Sequence, residues 1–350
     1  MVVVRNEERH LERCLRTMLD QTLDPARYEI IVVDSMSTDR SRDIVRRFID
    51  ENPGRRIRLI DNPGIILSCG WNNGIRAARG EYVIRPDAHG EVPPDFLEKS
   101  LKVMQAHPEA ACVGGVIQTR GHGFWGEVIA RVLSSPFGVG NSDFRVGTEP
   151  GPGNPVFALY KRQVLLDIGG FDERIPLNQD NLCHARLRAA GHLLYLDPEI
   201  RSTYYCRASL GALARAMIRR AKWVILMVRH TQDRVLQLRY LVPLAFLLTL
   251  IATGVGGFFF WPLWLGFAIV LAAYLAGAYA YAIRMPLGFW QRVAVPAATL
   301  TTHLSYGLGS LIGLCTLPFY RPRSYRPAGE PAMAATPEPG EARQPERHPG

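Results

Sequence analysis

Four side chains in this sequence have the type and placement that chemistry needs: Asp34, Asp87, His89 and Asp180. Asp87 and His89 close the run Tyr82-Val83-Ile84-Arg85-Pro86-Asp87-Ala88-His89. Alternation along an extended chain turns both to one side, with Ala88 turned away. A carboxylate and an imidazole so placed suit a divalent cation, Mg²⁺ or Mn²⁺, shared with substrate phosphates, because two groups make no complete cage. Asp34 ends a second apolar run, Glu29-Ile-Ile-Val-Val-Asp34, and can accept hydrogen bonds from a base or a ribose. Asp180 stands at the mouth of a helix and is a candidate general base. The plainer role for Asp180 is a first-turn acid favoured by the helix dipole, worth ~0.3–1 kcal/mol. The plainer role for Asp87-Ala88-His89 is a solvated turn. Together the four fit transfer from an activated nucleotide, in which a cation neutralises the diphosphate and a base deprotonates the incoming hydroxyl.

The elements that must position these groups alternate between strand and helix. Val2-Val3-Val4 reads as the end of a first strand, shorter than such strands usually are, followed by a helix capped by Asn6 with Leu11, Cys14, Leu15, Met18 and Leu19 on one face. Strands are predicted at 29–34, 57–60 and 82–84, with helices over 41–49 and from Asn72 to near Gly80. Short connections between alternating elements predict an α/β fold with a Rossmann-like, mostly parallel sheet, whose carboxyl ends form the ligand edge. Farther along, 96–107 reads as helix, 111–119 and 156–160 as strands, and 162–168 as helix. A further helix runs through 182–190 and is closed by Gly191. The stretch 120–155 is irregular, with a short helix near 125–133.

Composition sets the wider frame. The six cysteines are scattered without a CxxC pair, which fits reduced thiols. The net charge of +9 is concentrated before a long apolar region: residues 201–240 hold Arg201, Arg207, Arg215, Arg219, Arg220, Lys222, Arg229, Arg234 and Arg239 against Asp233. From Leu241 to Ile283 no residue is charged, a length that suits two membrane helices, about 241–260 and 263–283, turning at Trp261-Pro262. A third apolar helix at about 293–317 is expected to span or to lie in the interface. The basic run, with Arg284 and Arg292, belongs on the cytoplasmic side by the positive-inside rule, as do Arg321, Arg323 and Arg326 if that third helix does not cross. No cleavable signal peptide is read before residue 20, so residues 1–230 are expected to be a cytoplasmic domain, 231–320 a membrane region, and 327–350 a disordered tail. The basic patch abuts apolar helices and lacks an aromatic platform, which argues against a nucleic-acid partner.

The motifs Val-Val-Val-Arg5-Asn6-Glu7-Glu8, Glu-Ile-Ile-Val-Val-Asp34-Ser-Met-Ser-Thr-Asp39, Asn73-Gly74-Ile75 and Ala78-Arg79-Gly80-Glu81-Tyr82-Val83 resemble the family 2 glycosyltransferases with a GT-A fold. Asp87-Ala-His89 stands where that family has D-x-D. Gly169-Gly170-Phe171-Asp172-Glu173 and Asn178-Gln179-Asp180 stand where it has G-G-F-D-E and E-D. The resemblance covers about residues 1–230, and with the hairpin behind it is most similar to the glycosyltransferases of succinoglycan-type exopolysaccharide synthesis. It implies that Arg5, Glu7, Asp34 and Asp87 bind the nucleotide. It further implies that Asp87 and His89 hold Mg²⁺ or Mn²⁺, and that Asp180 activates the acceptor hydroxyl with inversion. The implied donor is a nucleotide sugar, expected to be a UDP-sugar. The implied acceptor is a polyprenyl-diphosphate-linked oligosaccharide at a multi-pass inner-membrane enzyme. A polyprenyl phosphate acceptor, or a catalytically weak scaffold of an export complex, is the alternative. Two departures stand out: His89 replaces an acid, with His184 a candidate third ligand, and Gln179 replaces the acid before Asp180. The stretch Met217-Ile218-Arg219-Arg220-Ala221-Lys222-Trp223 holds no Q-x-x-R-W, which argues for single-sugar addition. Arg207, Arg219, Arg220 and Lys222 could approach an acceptor pyrophosphate, although attraction to anionic lipid, ~1 kcal/mol per residue, suits most of them better.

Overall fold

The computed structural model describes residues 1–231 and 236–322; the expected tail at 327–350, with Arg323 and Arg326, lies outside the described residues. In chain order the elements are β1 (Val2–Val4), α1 (Leu11–Leu19), β2 (Ile30–Asp34), α2 (Ser41–Asp50), β3 (Ile57–Asp61), α3 (Leu67–Ala77), β4 (Tyr82–Ile84) and β5 (Gly90–Glu91). Then come α4 (Phe96–Ala106), β6 (Ala110–Arg120), α5 (Gly123–Leu133), α6 (Pro136–Val139), α7 (Asp143–Val146), β7 (Gly151–Pro152), β8 (Val156–Lys161) and α8 (Arg162–Asp167). The last are α9 (Gln179–Ala189), β9 (Leu193–Tyr205), α10 (Leu210–Leu226), α11 (Val242–Gly256), α12 (Pro262–Arg284) and α13 (Phe289–Thr316).

β1, β2 and β3 run parallel, with Val4, Asp34 and Asp61 in register at their carboxyl ends. Val2, Val4, Ile30 and Val32 pack with Leu11, Leu15, Val45 and Phe48 of α1 and α2. Val3, Ile31 and Val33 face the other way, onto Trp71 and Ile75 of α3. The period of two along each strand therefore divides an unbroken apolar run between two helical layers.

Two helix starts differ from expectation. α1 begins at Leu11 rather than after Asn6, because the backbone donors that would open it are used elsewhere. Asn6 has φ 55°, the Glu7 N–H donates to Ser41 Oγ (2.9 Å), the Glu8 N–H donates to Asp39 Oδ2 (3.0 Å), and the Thr38 N–H donates to Asn6 Oδ1 (2.8 Å). These bonds join the loop after β1 to the loop after β2. α3 begins at Leu67, ahead of the expected Asn72, and buries Ser68, Gly70 and Trp71 as well. The end of α9 is as expected: Gly191 has φ 83°, and the His192 N–H donates to Leu187 O at 3.0 Å.

The mostly parallel sheet holds for β1–β3 and is corrected beyond them. The second sheet has the order β4-β8-β6-β9-β5, with β7 beside β9. Only β6 and β9 pair in parallel; β4–β8, β6–β8, β5–β9 and β7–β9 are antiparallel. The long connection through α5, α6 and α7 returns the chain from the far end of β6, so β8 enters in the opposite sense. β9 went unassigned from sequence, since Asp197-Pro198-Glu199 interrupts its apolar pattern. β6 and β9 approach so closely at their register shift that a Cβ on Gly115 would lie 1.6 Å from Ile200 O.

Leu238–Gly256 and Pro262–Arg284, of 19 and 23 residues with mean hydropathy 1.8 each, are long and apolar enough to cross a membrane. Pro262 opens α12 in its first turn, after an exposed tip at Phe258, Phe259, Phe260 and Trp261. The stretch expected to form a third apolar helix is helical as α13, but it is not one of the two helices apolar enough to cross a membrane. It buries Thr299, Thr302, Gly309, Ser310 and Gly313 and packs along α10, with further contacts to α5, α11 and α12. The boundary expected near residue 230 is thus bridged. A Cβ on Gly309 would meet Ile218 O at 2.3 Å, so the two helices approach at backbone distance. Gly309→Val is expected to force them apart at a cost of about 1–3 kcal/mol. Gly266→Ala, whose Cβ has only Thr253 Cγ2 at 3.8 Å, should cost little. Thermal unfolding of the detergent-solubilised chain checks the pair; equal midpoints would show that the α10–α13 contact is not tight.

Candidate active site at the strand ends

Asp34 ends β2 with only 1% exposure, and its Oδ2 accepts from Arg42 Nη1 (2.7 Å) and the Ser37 N–H (3.2 Å). Arg42 also reaches Asp61 Oδ1 at 2.7 Å, so one guanidinium spans two neighbouring strand ends. Asp34 Oδ1 is buried and, among the described residues, has no hydrogen-bond partner. A buried orphan acceptor is costly and marks a place where a donor group belongs. Arg5 is exposed in the loop that leaves Val4, the residue paired with Asp34.

Asp87 and His89 follow β4, and the Gly90 N–H closes their turn on Asp87 O at 2.9 Å. His89 Nδ1 lies 3.3 Å from Glu7 Oε1, which joins the loop after β1 to the loop after β4. With Nδ1 facing a carboxylate, Nε2 is the nitrogen left to ligate, the usual arrangement behind a metal-bound imidazole. The hydrogen bond that His89 donates to Glu7 raises its pKa against the effect of burial, and Asp87 adds to the rise. Burial likewise raises the Asp87 carboxyl, opposed by His89 and Arg85 and reinforced by Asp180 and Glu7. The Asp87 carboxyl thus feels two further carboxylates and the imidazole at once.

Arg85 is what brings Asp180 into this group. Its side chain is 2% exposed, and Nη2 lies 2.5 Å from Asp180 Oδ1, a carboxylate whose side chain is 37% exposed. The guanidinium sits 4.0 Å from the Trp71 ring centroid, 5.0 Å from Phe171 and 5.8 Å from Tyr160. Burial opposes its charge, but Asp180 and Tyr160 together hold its pKa above the ordinary arginine value. Asp180 lies in the first turn of α9, behind Asn178 in the left-handed conformation at φ 61°. Sequence reasoning passed over Arg85, although a charged residue directly after the strand Tyr82-Val83-Ile84 was a visible signal.

His184 is not a third ligand. It is 2% exposed, its Nε2 lies 2.8 Å from the Tyr160 hydroxyl, and burial pushes its pKa down to about 3. The Gly169–Glu173 motif builds a wall rather than a reacting group. Phe171 N–H donates to Asn72 Oδ1 (2.8 Å), and Asn72 Nδ2 donates to Phe171 O (2.9 Å) and Glu173 Oε1 (2.8 Å). Asp172 pairs with Arg174 at 2.5 Å.

Among the described residues, no group of three or more His, Cys, Asp or Glu is arranged to hold a metal. Asp87 and His89 offer one oxygen and one nitrogen amid negative charge. That set fits Mg²⁺ or Mn²⁺ only if substrate phosphates complete the coordination.

Residues 1–169 match the family described as Glycosyl transferase family 2. The chain is 32% identical over 215 residues to the succinoglycan biosynthesis protein ExoA of Rhizobium meliloti, covering 59% of this chain and 63% of that protein. It is 26% identical over 257 residues, 72% of this chain and 79% of the relative, to a Methanococcus voltae enzyme. That enzyme is named dolichyl N-acetyl-alpha-D-glucosaminyl phosphate 3-beta-D-2,3-diacetamido-2,3-dideoxy-beta-D-glucuronosyltransferase. The fold is similar to that of a Pyrobaculum calidifontis mannosyltransferase solved in complex with GDP-Man and Mn²⁺. The TM-score is 0.56 at 21% identity, over 89% of this chain and 85% of that one.

Two outcomes follow from the ion pairs. Arg85→Met is expected to cost about 3 kcal/mol in denaturant unfolding, because it breaks a buried pair and empties the space beside Trp71. A change under ~0.5 kcal/mol would show that Arg85 is not a structural centre. For Asp172, burial opposes the charge, but bonds from the Arg174 side chain and N–H hold its pKa below the ordinary carboxylate value. A depressed folded pKa gives stability that is complete above the unfolded value, about 3.9, and is lost as pH falls through the folded value. The stability gap between wild type and Asp172→Asn should therefore be widest near pH 7 and narrow below about pH 4. Melting midpoints across that range check it.

Proposed function

Residues 1–169 belong to glycosyl transferase family 2 and the chain is a glycosyltransferase; from that premise we propose that it adds a single sugar, with inversion, from a nucleotide sugar to a lipid-linked acceptor. The observation that carries this reading is the Arg85–Asp180 pair, which holds a carboxylate from the second half of the chain near enough to act on the charge of Asp87. Arg85 fixes one oxygen of Asp180 and leaves the other to receive a proton. As the acceptor oxygen bonds to the anomeric carbon, Asp180 takes the hydroxyl proton and the nucleoside diphosphate leaves. Asp34, through its unpaired Oδ1, together with Arg5 and Glu7, frames the nucleotide; Glu7 also orients His89. Mg²⁺ or Mn²⁺ held by Asp87 and His89 would neutralise the diphosphate.

The donor is taken to be a UDP-sugar, although the structural neighbour with GDP-Man makes GDP-sugars the first competitor. A lipid-linked acceptor, a polyprenyl-diphosphate oligosaccharide of exopolysaccharide assembly, is supported by the names of the two relatives and by the two apolar helices. Those helices suit anchoring in the inner membrane, with the basic residues of α10 and Arg284 and Arg292 on the cytoplasmic side.

In donor screening on membranes, Asp180→Asn is expected to lower transfer by at least ~10²-fold while nucleotide binding with Mn²⁺ persists. Asp87→Ala, or chelation with EDTA, should remove binding and transfer together. His89→Asp should keep measurable transfer with a changed preference between Mn²⁺ and Mg²⁺. Equal transfer by wild type and Asp87→Ala would sink the assignment, and a chain that neither binds nor turns over any nucleotide sugar would favour the scaffold alternative.

A further inference from the structure

Two buried polar side chains, Tyr160 and His184, lie behind the Arg85–Asp180 pair. The Tyr160 backbone is held on both sides within its sheet, paired with Val83 of β4 and with Cys112 of β6. Its hydroxyl accepts from Arg85 Nη2 at 3.4 Å and lies 2.8 Å from His184 Nε2. Burial raises the Tyr160 pKa well above its ordinary value and lowers that of His184, so the phenol stays protonated and the imidazole neutral. The sense of each bond follows: Arg85 donates to the phenol oxygen, and the phenol donates to His184 Nε2.

These bonds close a circuit. His184 stands four residues after Asp180 on α9, so the two share one face of the helix a turn apart. From Asp180 the path runs to Arg85 at 2.5 Å, on to Tyr160, and back to His184 on the same helix. One nitrogen of Arg85, Nη2, makes both the ion pair and the bond to the phenol. α9 is thereby gripped at two points by groups carried on the second sheet, Arg85 directly after β4 and Tyr160 within β8. A single grip would let the helix roll; two fix the direction in which Asp180 leaves it. Packing alone does not call for this arrangement. Tyr160 belongs to a core with Leu165, Phe171, Cys183 and Leu187, where phenylalanine and leucine would pack without burying a hydroxyl and an imidazole. Such groups are costly in a core unless every bond is made.

We propose that Tyr160 and His184 are positioning residues for sugar transfer, completing a circuit that fixes Arg85 and, through it, the direction of the Asp180 carboxylate. The proposal rests on the reading of Asp180 as the base. Both residues are buried, so they act through Arg85 rather than on a substrate. A base must lie within hydrogen-bond reach of the hydroxyl it deprotonates, and a displacement of ~1 Å can cost ~10²-fold in rate.

The test uses the full chain in detergent, with UDP-glucose and GDP-mannose in parallel as donors and membrane lipid extract as the source of acceptor. Tyr160→Phe, which removes only the hydroxyl, and His184→Leu are expected to lower kcat by about 10-fold while donor KM stays within about 2-fold. The double variant should be no slower than the slower single, because both break one circuit. His184→Gln, whose amide oxygen can accept the bond from the phenol, should fall between His184→Leu and wild type. Lower melting midpoints with unchanged kcat in both single variants would make the pair structural only and overturn the proposal. So would a raised KM with kcat kept, or losses that multiply in the double variant. If Asp180→Asn transfers as fast as wild type, the base reading falls and its positioning with it. If Asp180→Asn is inactive and Tyr160→Phe is not slowed, the positioning alone falls. A second measurement needs no turnover: the melting midpoints of Tyr160→Phe, Asp180→Asn and their double variant should be non-additive, because Arg85 joins the two. Should wild type transfer from neither donor, this cycle decides the circuit by itself, and additive midpoints overturn it whatever the transfer assay returns.

Discussion

The buried guanidinium of Arg85 is the constraint on which the rest of the site depends. A cation walled by Trp71, Tyr160 and Phe171 is tolerable only with a carboxylate against it, and Asp180 supplies one at 2.5 Å. The cost of burial is thereby turned into position. Each wall residue belongs to a different element, so α3, β8 and the turn before α9 must all be in place before the pair can form. Removing Asp180 leaves Arg85 unpaired beside aromatic faces, which makes the pair an anchor between the two halves of the chain.

A second set of bonds holds the donor side. The loops after β1 and β2 exchange backbone donors and side-chain acceptors through Asn6, Glu7, Glu8, Ser37, Asp39 and Ser41. Glu7 then reaches the loop after β4 through His89. Three strand ends are thus tied into one rim by short polar contacts rather than by packing. Asp34 is held from one side by Arg42, while its other oxygen is buried and, among the described residues, unpaired.

The membrane side is built on a different principle. α13 meets α10 through Gly309 and Gly313 at backbone distance, which fixes α10. The exposed apolar surface of α11 and α12 and the aromatic tip at Phe258–Trp261 lie on elements contiguous with that contact.

Much of this was legible in the residues themselves. The strands ending at Val4, Asp34 and Ile84, the helix that follows Asn178 and its glycine stop, and the two apolar helices follow from periodicity and turn chemistry, which act over a few residues. The start of α1 was not legible, because Asn6, Glu7 and Glu8 bond to a loop some 30 residues away. Nor was the sense of β8 and β9, which depends on how long connections return through space. His184 illustrates the limit most clearly. A histidine one turn beyond Asp180 reads as a ligand, yet it is buried against Tyr160. Local sequence determined which groups are available and which strand or helix carries them. Which carboxylate meets which cation was decided only by tertiary packing, because charges pair across distance in space and not along the chain.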